Sequence, residues 1–177
     1  QVSGGPVEAA EGIAELTYPT PLVTVLAAQI VAKENTPLAL IGNSEDFQEH
    51  VLARLEKIIA GKIVTGQDVP KLQAVLRMVA LLQPVVFDDP GFLNILREVE
   101  GLEHEDSQRL LRLLGEGGVL FKRGLRHRLA PDLLADSIIQ RNFIGIDGAV
   151  TPKVEHAFDL ADAEYLKHLL VNIGRLD

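Results

Sequence analysis

Between Lys122 and Arg128 the chain places four bases, Lys122, Arg123, Arg126 and Arg128, together with His127 and no acid. Cations at this density on a short turn suit phosphate groups or an acidic protein surface, because each can neutralise one negative charge. Asp132 and Asp136 follow one helical turn apart, with Arg141 five residues further on. Such a carboxylate pair could share a proton. It equally suits a helix start, where Asp132 meets the positive end of the peptide dipoles and Asp136 is a surface neighbour of Arg141. Upstream, Val85 to Asp89 runs from three apolar residues into two acids, the nearest approach in this chain to a strand-borne Mg²⁺ carboxylate. An Asp pair capping a helix before Pro90 accounts for the same residues.

The remaining candidates lack context. His50, His104, His127, His156 and His168 share no i, i+3 or i+4 spacing, so a metal site would need convergence of distant segments. His104, beside Glu103, Glu105 and Asp106, reads as a solvated helix start. Ser44, Ser107 and Ser137 fit helix caps or helix surfaces, and none lies in a G-x-S-x-G elbow. Cysteine is absent, which excludes disulfides, thiolate metal sites and cysteine nucleophiles. Gly61 and Lys62 follow Ile58, Ile59 and Ala60 rather than the glycine of a phosphate-binding loop. No catalytic signature emerges, so function has to be read from architecture.

The elements that must position the basic cluster are predicted from local pattern. Ser107 to Gly115 arranges Leu110, Leu111, Leu113 and Leu114 around an amphipathic helix, which Gly115, Gly117 and Gly118 end. Val119 to Phe121 favours a strand, Gly124 and Leu125 suit a hairpin turn, and Arg126 to Leu129 returns. Pro131 then falls where a helix accepts proline in its first turn. Before this unit, Thr20 and Pro21 open a helix carrying Val23, Leu26, Ile30 and Val31. A second starts near Ser44 and stops at Gly61. A third runs from Asp68 to Pro84, apolar nearly all round in its later half and therefore central. A fourth spans Gly91 to Val99, capped by Asp88 and Asp89. After a glycine-rich loop at Ile144 to Gly148, Lys153 to Phe158 forms a short helix and Asp159 caps the last one. The fold class is thus mainly α, a helical bundle with a winged-helix module containing one short β-hairpin. Three parts are expected: a helical segment at 1–64, the winged helix at 65–142, and C-terminal helices at 143–177 leading toward a helical-repeat region.

Composition bounds the rest. The 177 residues are 47% hydrophobic, lack Trp and have few aromatics, so the core is built of Leu, Ile, Val and Ala. A mean hydropathy of +0.17 argues against disorder. The longest apolar runs, Val23 to Val31 and Val79 to Val86, are too short and interrupted to cross a bilayer. No signal peptide is evident and no initiating Met is present, which suggests a cytoplasmic piece of something larger. Net charge is −8, a poor start for a nucleic-acid binder. The charge is uneven: residues 1–117 hold nine Lys/Arg against seventeen Asp/Glu, and residues 118–177 hold eight of each. A basic hairpin beside an acidic helical surface invites contact with another domain or protomer.

LRMVALLQPV, a helix ending LLRLLGEGGVLFKRG, and then LRHRLAPDLLADSII together resemble the winged-helix segment of bacterial STAND-type signalling NTPases, relatives of the NLR and apoptotic ATPases. In that family a Met-His-Asp-type signature opens the helix after the wing, and the matching positions here are Ala130, Pro131 and Asp132. Proline replaces the histidine that senses the β-phosphate of ADP, so that contact is not carried over. Pro19 to Leu22 resembles the family's Gly-x-Pro signature in the helical lid and keeps Pro21, the residue placed by the adenine, but not the glycine. KHLLVNIGRLD resembles the start of the sensor arm. The resemblance implies a non-catalytic lid and winged-helix part of a larger ATPase, relaying nucleotide state to a C-terminal sensor. Pro21 and Asp132 would face ATP or ADP only in the full-length protein, whose P-loop domain would be the principal partner. Lys122, Arg123, Arg126 and Arg128 would contact that domain, another protein or a second protomer. Neither a bound cofactor nor a metal is expected in this segment itself. Two other readings use the same residues: a winged-helix DNA-binding regulator gripping phosphates with those four cations, and a helical protein-interaction scaffold.

Overall fold

The structure, a computed structural model, describes residues 25, 28 and 44–176. Val25 and Ala28 are helical. The expected cap at Thr20 and the nucleotide-facing role of Pro21 lie outside the described residues.

Seven helices and one hairpin follow in order: α1 (Ser44–Ile63), α2 (Asp68–Leu82), α3 (Pro90–Glu100), α4 (His104–Glu116), β1 (Leu120–Arg123), β2 (Arg126–Leu129), α5 (Asp132–Phe143), α6 (Pro152–Leu160) and α7 (Ala163–Gly174). The described residues are mainly helical with a single two-stranded antiparallel hairpin, as the sequence pattern predicts. α2 is the hub. Leu72, Val75, Leu76 and every residue from Met78 to Leu82 are buried, and α1, α4, α5 and α7 pack around it. A helix buried on all sides needs apolar residues on all sides, which is why its later half loses the amphipathic stripe. The core continues without a break from Leu52 of α1 to Leu169 of α7, across both expected divisions of the chain.

Four helices differ from expectation at one or both ends. α1 runs through Gly61 to Ile63, because an exposed glycine with no neighbour near its Cβ position does not end a helix by itself. α4 begins at His104, ahead of Ser107, whose N–H already donates to the Glu103 carbonyl (2.9 Å), and Gly115 lies inside it. The break comes at Gly117 and Gly118, where Gly118 takes φ +69, the left-handed conformation that glycine adopts at little cost. Pro131 sits just before α5, at the cap rather than in the first turn. Asp162, not Asp159, caps α7. Its carboxylate accepts from the N–H groups of Glu164 (3.0 Å) and Tyr165 (2.9 Å), while Asp159 is inside α6.

In the hairpin, Leu120 pairs with Leu129, Phe121 with Arg128, Lys122 with His127 and Arg123 with Arg126. Gly124 takes φ +64 in the two-residue turn, the left-handed geometry that matches the strand twist. The outer edge of β2 is partly covered. Val85, in the link between α2 and α3, exchanges both backbone hydrogen bonds with His127 at 2.8 Å. The Leu129 N–H donates to Gln83 Oε1 (2.6 Å).

Candidate functional site

The four cations of the hairpin have different fates. Arg126 pairs with Glu164 of α7 at 2.8 Å, and Arg128 pairs with Asp132 in the first turn of α5. Lys122 and Arg123, next to the turn, are exposed and make no ion pair among the described residues. Phe121 (55% exposed) and Leu125 (75% exposed) add apolar surface beside them. A cleft of about 410 Å³ lies along this face, lined by Pro84, Phe121, Arg123, Arg126, His127 and Arg128. His127 stacks on Phe87 with ring centroids 3.8 Å apart. Burial pushes its pKa below the ordinary value, and Lys122 adds to the effect against opposing backbone interactions with Val85 and Leu125.

The two candidate carboxylates are not a working pair. Asp132 is engaged by Arg128, and Asp136 by Arg175 of α7 at 2.6 Å, not by Arg141. Burial raises the pKa of Asp136, with Arg175 opposing. Asp89 caps α3 by accepting from the Phe92 N–H (2.9 Å), while Asp88 accepts from Gln108 (3.1 Å) and lies 3.9 Å from Arg112. Those contacts leave the two acids facing different neighbours rather than one cation. No cluster of three or more metal-ligating side chains occurs among the described residues.

The exposed face of α4, which precedes the hairpin, is electrically balanced. Arg109 bridges Asp68 (2.9 Å) and Asp106 (3.2 Å), and Lys71 also reaches Asp106 (2.6 Å). Both cations hold the Asp106 carboxyl below the ordinary range. Every base on this helix therefore has an acid beside it.

Two features were not singled out by sequence reasoning. Gln83, Pro84, Arg128, Lys167, His168, Val171, Asn172 and Arg175 enclose a cavity of about 280 Å³ between the end of α2, β2 and α7. The only sequence signal for it is the i, i+4, i+8 spacing of Lys167, Val171 and Arg175, which puts two cations on one helix face. An apolar groove of about 560 Å³ runs between α6 and α7, lined by Val150, Val154, Phe158, Leu169, Leu170 and Ile173 with Glu155 and Asp159 among its residues. Among the described residues no helix is long and apolar enough to cross a membrane.

The chain matches no family model, no curated protein and no solved structure.

Proposed function

We propose that this chain is a winged-helix and lid segment of a STAND-like ATPase, a moving part that passes nucleotide state from a P-loop domain to a C-terminal sensor. The observation that carries the reading is the division of labour within the hairpin. Arg126 and Arg128 are held by α7 and α5, while Lys122, Arg123, Phe121 and Leu125 face outward. A hairpin fastened to the C-terminal helices and presenting a mixed apolar and basic tip is suited to a protein contact whose movement is transmitted. The bridge from Val85 to His127 supports the winged-helix part. It supplies a third, one-residue strand beside the hairpin, with α2 before it and α3 and α4 between it and β1. Asp132, held by Arg128, would reach a nucleotide phosphate only after that pair opened, so its role would be to position the hairpin rather than to bind ATP directly.

The decisive experiment is to sequence the complete reading frame upstream of Gln1. A phosphate loop of the form G-x-x-x-x-G-K followed by Ser or Thr supports the reading, and its absence overturns it. ATP hydrolysis by the segment alone would also overturn it.

DNA binding is the second reading, favoured by Lys122 and Arg123, which make no ion pair among the described residues. The balanced face of α4 weighs against it, since a helix entering the major groove must bring net positive or amide-rich surface to the phosphates and base edges.

A further inference from the structure

We infer that the cavity between Gln83, β2 and α7 is a binding site for a small phosphate-bearing anion, inorganic phosphate or a phosphate monoester. This goes beyond the proposed relay and does not depend on it.

The cavity is lined by three cationic side chains, Arg128, Lys167 and Arg175, and by no acid. Three acids of α5 and α7 are already engaged: Asp132 with Arg128, Asp136 with Arg175, and Glu164 with Arg126. Those pairs orient the guanidinium groups without exhausting them. Each is bonded to its carboxylate through Nη2, and a guanidinium carries five N–H donors. Lys167 has no ion pair among the described residues. With Arg128 and Arg175 each balanced by a carboxylate, Lys167 supplies the excess positive charge of the wall, and the remaining N–H donors of the planar guanidinium groups match the oxygen geometry of phosphate.

Two buried polar atoms point to the same conclusion. Gln83 is only 3% exposed, and its Nε2 has no hydrogen-bond partner among the described residues, although its Oε1 accepts from the Leu129 N–H. His168 Nδ1 is likewise buried and unpartnered. A buried amide N–H without an acceptor is unfavourable, so an orphan donor on a residue that lines a basic cavity fits a ligand that brings an acceptor to this wall. Asn172 holds the wall in place by donating to the carbonyls of Leu81 (3.0 Å) and Gln83 (2.8 Å). At about 280 Å³ the cavity lies near the lower end of small-molecule sites, room for a phosphate group with little attached. A ligand there would bridge α7 to β2 and to the end of α2.

The test is titration of the intact chain with sodium phosphate, and in a second arm with glucose 6-phosphate, at constant ionic strength, followed by calorimetry and by amide NMR. Saturable binding with shifts confined to Gln83, Arg128 and the stretch from Lys167 to Arg175 is expected in at least one arm. Whichever arm binds more tightly identifies the source of the phosphate. Lys167→Glu and Val171→Glu, both exposed positions, should each weaken binding at least about tenfold while circular dichroism stays unchanged, whereas Lys122→Glu should leave it intact. Using two variants guards against misfolding of either one. Absence of binding in both arms, shifts spread over all Lys and Arg residues, or undiminished affinity in the two folded cavity variants would overturn the assignment.

Discussion

Arg126 Nη2 lies 2.8 Å from the Glu164 carboxylate, fastening the returning strand of the hairpin to the first turn of the last helix, thirty-eight residues away in sequence. Both side chains are half exposed, so the pair is worth only about 0.2–1 kcal/mol. A double-mutant cycle with Arg126→Ala and Glu164→Ala, read by urea denaturation, should return a coupling within that range. Hydrogen exchange should meanwhile show α7 opening more readily in both single variants. A coupling several times larger would mean that the pair is a structural keystone rather than a tether.

Asn172 is the firmer connection between α7 and the hub. It is buried, and its amide serves two carbonyls at the end of α2. Asn172→Leu leaves both acceptors unmet at a cost of about 1–3 kcal/mol for each buried polar group, so the unfolding midpoint should fall measurably. Asn172→Asp should be at least as damaging, since it removes the donor and adds a buried charge.

Acid should loosen the same region. His127 and His168 are both held below the ordinary value of 6.5, in each case chiefly by burial. Around His168, Arg126 and Lys167 act in the same direction, while Glu164 and the backbone of Leu82 oppose it. The unfolded chain therefore takes up these protons first. Stability from the two imidazoles is complete above about pH 6.5 and is lost as the pH falls toward their folded values. Thermal melts from about pH 8 to about pH 5 should show that decline, and His127→Gln plus His168→Gln should flatten it. Asp136 acts in the opposite sense at lower pH. Its raised pKa means the folded protein binds that proton more readily, so this contribution strengthens as pH falls through the window above 3.8.

The hairpin tip separates protein contact from DNA contact. With the bases of α4 balanced by Asp68, Asp88 and Asp106, duplex DNA should show only weak, salt-sensitive anisotropy changes, and Lys122→Glu plus Arg123→Glu should abolish them. Arg126→Glu or Arg128→Glu would be poorer tests, because each also breaks an internal ion pair. Sequence-selective binding at physiological salt would refute the relay in favour of a regulator.

Local chemistry in the sequence determined the elements that depend on neighbours. The hairpin over Leu120 to Leu129 was readable because glycine at the turn and the short β-favouring run from Val119 to Phe121 act within a few residues. The central position of α2 was readable because a helix apolar on every side has to be covered. Helix ends were less legible. Gly61, Gly115 and Asp159 carry the right residue types for breaks and caps, but each lies inside its helix, because a residue type that tolerates a break or a cap does not by itself impose one. Only the tertiary structure decided which cations remain available. Lys122, Arg123, Arg126 and Arg128 are equivalent as letters in a basic run, yet Glu164 of α7 and Asp132 of α5 engage the two on β2, while the two on β1 make no ion pair among the described residues. The cavity at Gln83 was likewise beyond sequence reading. Its walls come from the end of α2, from β2 and from α7, and nothing local to any of them records that the other two converge there.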